Sequence, residues 1–164
     1  MLSEKTLVIG LGNPILGDDG AGWVAAREVE SRLMKSERNI EVDCLALGGL
    51  SLMERMIGYK YVILIDSLNT GQHPQGSVIV FTLEDLVDLT YGHTSAAHDA
   101  SLKTALDMGR KLEASLPADK DVHVVAIEAK HVYDFKEELS PIIAAAMPIA
   151  VQQVFDLLKE INAI

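Results

Sequence analysis

Gly10-Leu-Gly-Asn-Pro-Ile-Leu-Gly-Asp-Asp-Gly-Ala-Gly22 follows the apolar run Thr6-Leu7-Val8-Ile9 and leads into a helical pattern. A glycine-rich turn between a buried strand and a helix ordinarily points backbone amides at an anion. This turn instead carries two adjacent carboxylates, Asp18 and Asp19. The dinucleotide fingerprint G-x-G-x-x-G needs its third glycine at position 15, where Ile15 stands. Gly12-Asn-Pro-Ile-Leu-Gly17 has the spacing of the first six residues of a P-loop, but Asp18 and Asp19 take the places of Lys and Ser/Thr. Carboxylates where phosphate oxygens would lie are repelled strongly at low effective dielectric. The turn therefore disfavours phosphate and favours a cation, and a Rossmann-like nucleotide binder survives only as a fold analogy.

Outward from the turn, residues 6–10 are continuously apolar, which predicts a central strand covered on both faces. Gly22, Ala25, Ala26, Val29 and Leu33 recur at helical spacing and predict an amphipathic helix over 20–34. Residues 40–46 alternate as a half-buried strand nearer an edge. Gly48-Gly49 marks a loop, and Ser51 is expected to cap a short helix carrying Leu52, Met53, Met56 and Ile57. Residues 61–66, Tyr-Val-Ile-Leu-Ile-Asp, form a second strongly apolar strand that ends on Asp66. The stretch from Asp66 to the next strand, 76–82, is too short for a crossover helix, so that strand is expected at an antiparallel edge.

Residues 83–97 are polar and unassigned. Thr94 or Ser95 is expected to cap a helix whose apolar face is Leu102, Ala105, Leu106, Met108 or Gly109, and Leu112. Residues 122–127 read as the last strand. Ser140-Pro141 opens a final helix to about residue 161, with Pro148 expected to kink or interrupt it. The alternation predicts a three-layer αβα sandwich. Its sheet is mostly parallel, of about five strands with an antiparallel edge strand, in one domain spanning 1–164.

Composition bounds the partners. The chain has 164 residues, 49% of them hydrophobic, and a formal charge of −10. Its pI is near 4.8. Such acidity argues against nucleic acid or an anionic membrane as main partner, since both select for Lys and Arg. One cysteine, Cys44, excludes an internal disulfide framework and fits a reducing compartment. With no long apolar span and no basic, signal-like start, the expectation is a soluble cytoplasmic protein; a monomer is expected beside it.

Sites in open parallel sheets form at the carboxyl ends of strands. Asp19 lies just past the first strand and Asp66 ends the 61–66 strand, so the two converge if those strands are neighbours. His98 lies near a helix start, where the positive end of the dipole favours neutral, metal-binding imidazole. Asp19, Asp66 and His98 make a three-ligand set with open positions. Taken singly, each has a plainer reading. Asp18 or Asp19 suits a helix N-cap, Asp66 a turn cap with Asn69, and His98 a solvent-facing helix start. His73, His123 and His131 read as surface or turn residues, with His93 a backup for His98. Cys44 reads as a small core residue, and no G-x-S-x-G elbow supports a Ser/His/Asp site.

The pattern Gly10-x-Gly12-Asn13-x-x-x-x-Asp18-Asp19-Gly20-x-Gly22 after a strand resembles the N-terminal signature of the nickel–iron hydrogenase maturation endopeptidases. Gly48-Gly49, Asp66, His98 and Leu139-Ser140-Pro141 extend that resemblance over nearly the whole chain. Glu128-Ala-Lys130 departs from it, because many relatives carry a proline soon after the last strand. The resemblance implies removal of a C-terminal extension from a hydrogenase large-subunit precursor once nickel is inserted. It further implies that Asp19, Asp66 and His98 contact nickel carried by the substrate, with Asp19 and Asp66 catalytic and no nucleotide cofactor. A non-catalytic nickel-site checkpoint binding the same precursor is the rival reading.

Overall fold

Leu7, Val8 and Ile9 are all fully buried, so the strand that carries them is covered on both faces. That strand, β1 (Ser3–Leu11), is an interior strand of a five-stranded sheet. The computed structural model describes residues 3–35, 37–87 and 97–164, and at 3, 87 and 97–101 the backbone alone. The other strands are β2 (Ile40–Leu45), β3 (Tyr59–Leu68), β4 (Val78–Thr82) and β5 (Val122–Glu128). Their order is β2-β1-β3-β5-β4. All neighbours are parallel except β4, which runs antiparallel to β5 at the edge.

Because successive strand residues face opposite ways, the two faces build two cores. Val8, Ile63, Ile65 and Val125 pack with α1 (Ala21–Arg32) and α4 (Pro141–Glu160). Leu7, Ile9, Leu64 and Val124 pack with α2 (Gly49–Arg55) and α3 (Ala97–Lys111). The three-layer sandwich and its antiparallel edge strand follow directly. At β2, every residue is only half-buried, as its alternating sequence requires of an edge.

Several local expectations are corrected. The short helix starts at Gly49 after an N-cap at Gly48, so Ser51 lies inside it and caps nothing. The glycine pair starts this helix with backbone alone. On α3, Gly109 belongs to the buried face, while Met108 and Leu112 are 51% and 77% exposed. A side chain at 109 would press on Leu116 and Met53, which occupy the space a larger residue would need. The helix α4 runs unbroken through Pro148. Ala144 and Pro148 are both exposed, so the carbonyl that loses its amide partner faces water. Thr94 and Ser95 lie outside the described residues.

Among the described residues α4 is the one helix long and apolar enough, at mean hydropathy 1.5, to cross a membrane. Ile143, Ala146, Ala150, Val154 and Leu158 account for that composition, since all are buried against the sheet and α1. Its start is well defined: Ser140 precedes the helix and Pro141 occupies its first turn.

Candidate active site

The sheet order places a topological switch between β1 and β3: from β1 the chain goes first to β2, then to β3 on the other side. Gly10 pairs in register with Ile65, so the turn after β1 and the end of β3 open onto the same crevice. The convergence that Asp19 and Asp66 required of neighbouring strands is present. The crevice is a cleft of about 650 Å³ whose floor includes Gly12, Asn13, Asp19, Asp66 and Ser67.

Glycine makes this geometry possible at two points. A Cβ on Gly22 would overlap the carbonyl oxygens of Ile65 and Leu11, so only glycine lets α1 start this close to both strands. Gly12 has φ +128°, and a Cβ there would overlap the Asp19 carbonyl. Between them, residues Gly17–Gly20 form a 3₁₀ turn. The chain thus doubles back sharply and carries Asp18 and Asp19 in opposite directions.

Asp19 faces the cleft. Its Oδ2 accepts the Asn13 amide at 2.7 Å, and its Oδ1 accepts the Ser67 hydroxyl at 3.4 Å. Asn13 in turn accepts the Ile15 amide on Oδ1 at 3.2 Å, an Asx turn that fixes the loop in front of Asp19. Asp66 accepts the Ser67 amide on Oδ1 at 2.8 Å. Ser67 is therefore the element that joins the two carboxylate-bearing segments: its amide holds Asp66 and its hydroxyl reaches Asp19. Both aspartates are half-buried, oriented yet open to the cleft.

Asp18 faces away. It is 1% exposed, and its two oxygens accept the Ser140 amide at 2.7 Å and the Ser140 hydroxyl at 2.8 Å. Neither Asp18 nor Asp19 caps α1, whose N-cap is Gly20 with no side-chain bond. Asp18 instead holds the residue that begins α4, where a negative charge is stabilised by the helix dipole.

Glu128 was missed from sequence as a functional-site support. It is 2% exposed at the end of β5 and accepts the Thr70 amide at 2.9 Å, the Thr70 hydroxyl at 2.8 Å and the Gly71 amide at 2.8 Å. It thereby clamps the segment that leaves β3 just after Asp66. The signal available in sequence was a charged residue closing an otherwise apolar strand.

Of the other candidates, His73, His123, His131 and Cys44 do not line the cleft. His123 is half-buried near the start of β5, and burial pushes its imidazole below the ordinary value. His131 is exposed and pairs with Asp134 at 3.0 Å, and His73 is exposed. Burial pushes the Cys44 thiol up, which disfavours the thiolate a nucleophile needs. His98 falls in the first turn of α3 with its side chain outside the described residues, and His93 lies outside them altogether. Among the described residues no three His, Cys, Asp or Glu side chains form a group able to hold a metal.

The profile of a family described as HycI, hydrogenase maturation protease, matches residues 25–157. The chain belongs to the hydrogenase maturation protease family. It is thus a member of a family of peptidases. The fold agrees with solved hydrogenase maturation proteases. The hydrogenase maturating endopeptidase HybD from E. coli superposes with TM-score 0.75 at 22% identity, over 95% of this chain and 93% of that one. The [NiFe] hydrogenase maturation protease HybD from Thermococcus kodakarensis gives 0.67 at 24% identity, over 93% and 98%. The protease HycI from Thermococcus kodakarensis KOD1 gives 0.67 at 16%, over 95% and 93%. No curated protein matches the sequence. At these identities the likeness to the hydrogenase maturation proteases of known structure is one of fold.

Proposed function

We propose that this protease removes the C-terminal extension of a [NiFe]-hydrogenase large-subunit precursor after nickel insertion, meeting the substrate's nickel with Asp19, Asp66 and His98. The observation that carries this reading is the pair of half-buried carboxylates, Asp19 and Asp66, lining one cleft and joined through Ser67. Two carboxylates lining one cleft offer hard oxygen ligands to an arriving cation. Nickel borne by the precursor supplies this cation, so the site becomes competent only when loaded substrate is present.

The chemistry asked of the site is amide hydrolysis. A water oxygen bonds to the scissile carbonyl carbon, the carbon–nitrogen bond breaks, and the leaving amine takes up a proton. An aspartate in the cleft can accept the water's proton as general base, and nickel held by Asp19, Asp66 and His98 would supply Lewis-acid polarisation of the carbonyl or serve for recognition alone. The Asn13 amide and the Ser67 hydroxyl and amide keep the carboxylates oriented, so little reorganisation is needed as substrate arrives.

The test is to incubate purified protein with nickel-loaded and nickel-free precursor and to read the precursor's mass. Loss of the tail from loaded precursor only, abolished by Asp66→Asn, is the expected result. Cleavage that ignores nickel would overturn the gating. Binding without any new terminus would leave the non-catalytic checkpoint as the function.

A further inference from the structure

Resting on the precursor-processing reading above, we propose that Tyr133 and Phe135 form a preset docking rim for the folded body of the precursor, separate from the carboxylates that act on its tail. Tyr133 and Phe135 are 81% and 82% exposed, the highest values among the exposed large hydrophobic side chains of the described residues. Two aromatics this open, two positions apart, offer what contact surfaces are enriched in, a large apolar area carried on few rotatable bonds.

Their loop is not loose. The Gly17 amide donates to the Lys136 carbonyl at 2.7 Å, the Asp18 amide to the His131 carbonyl at 3.0 Å, and the Lys136 amide to the Ile15 carbonyl at 3.1 Å. Val132, between the aromatics and that anchor, is buried in the core. The aromatic pair is therefore held in place by the same turn that aims Asp19. A surface fixed before binding loses little entropy on association.

The occupant follows from continuity with the cleft. Tyr133 lines the cleft that holds Asp19 and Asp66 and is also open to solvent, so it belongs to both surfaces. Leu47, 46% exposed, lines the same cleft. A metal ion or small polar molecule has no use for an apolar margin, whereas a protein whose tail enters the cleft must lay its body against that margin. Buried aromatic anchors of this kind dominate protein interfaces.

The experiment measures precursor binding to the wild-type chain and to a Tyr133→Ala/Phe135→Ala double variant by titration, with cleavage kinetics in parallel. Because both side chains are exposed, the variant should keep its melting temperature. The expected result is a Kd and KM for precursor raised roughly tenfold or more, kcat at saturation within about twofold, and recovery of most affinity in Tyr133→Phe. Unchanged Kd and KM in the double variant, with wild type still cleaving, would overturn the docking rim and leave the processing function standing. Wild type that neither binds nor cleaves precursor removes both. Wild type that self-associates through this rim, with the double variant monomeric and its precursor affinity unchanged, assigns the surface to a second copy and overturns the proposal.

Discussion

Behind the glycine turn, Asp18 is sealed from water with both oxygens committed to Ser140; in front of it, Asp19 lines an open cleft. At the β2 edge a third arrangement occurs: Asp43 and Glu41 pair with Arg55, at 2.9 and 3.4 Å. The difference lies in what each carboxylate can still do. Asp18 joins two distant segments and has no capacity left for a visitor. Glu41 and Asp43 come with their own cation, and the partners hold Glu41 below the usual carboxylate range, the Tyr59 hydroxyl most of all. Asp19 is oriented by neutral donors, the Asn13 amide and the Ser67 hydroxyl, so its charge is aimed rather than neutralised.

The largest effect should come from the cleft side. Asp19→Asn keeps the size and one acceptor oxygen but removes the charge, so cleavage of loaded precursor should fall about 10²–10⁴-fold. Its thermal melt should stay near that of the parent. A variant that still cleaves at the parent's rate would break the functional half of the comparison.

Behind the turn the order reverses. Asp18→Ala strands the Ser140 amide and hydroxyl, each a bond to a charged group, and should cost about 3 kcal/mol. For a chain of this length that corresponds to a melting temperature lower by about 6–12 °C. Activity per folded molecule should fall much less than in Asp19→Asn, which denaturant titration alongside kinetics will separate. An Asp18→Ala protein as stable as the parent would show that the buried carboxylate holds nothing together.

The smallest effect is expected at His123, near the start of β5 and away from the carboxyl-end cleft. Burial holds its folded-state pKa below the ordinary 6.5. As pH falls past that value the unfolded chain takes up the proton first, so stability is full above it and declines below it. His123→Gln should flatten this decline in melts between pH 7 and 5, with no change in the pH profile of cleavage. A shifted cleavage profile would tie His123 to the site after all.

Much of the frame was legible because burial writes itself into short apolar runs. β1 and β3 read as central strands since both of their faces are covered, and β4 as an antiparallel edge since its connection is too short to cross over. Asp19 and Asp66 stood out as charges at the ends of those runs. The division of labour between Asp18 and Asp19 did not, because the deciding partner, Ser140, is 122 positions away. Glu128 stayed hidden for the same reason, with Thr70 and Gly71 58 and 57 positions distant. The helical pattern misled at Leu112, which lies just past the end of α3 and is exposed, and at Pro148, where solvent excused a proline.

The bond from Asp18 to Ser140 also sets an order of events. It closes a loop spanning most of the chain, and the entropy of closing so long a loop weighs against folding speed. During synthesis the turn that carries Asp18 leaves the ribosome early, but its bond to Ser140 must wait until the start of α4 has followed. The hold of this turn on α4 is thus completed by the last helix, and a nascent fragment lacking that helix leaves the Asp18 carboxylate without its Ser140 partner.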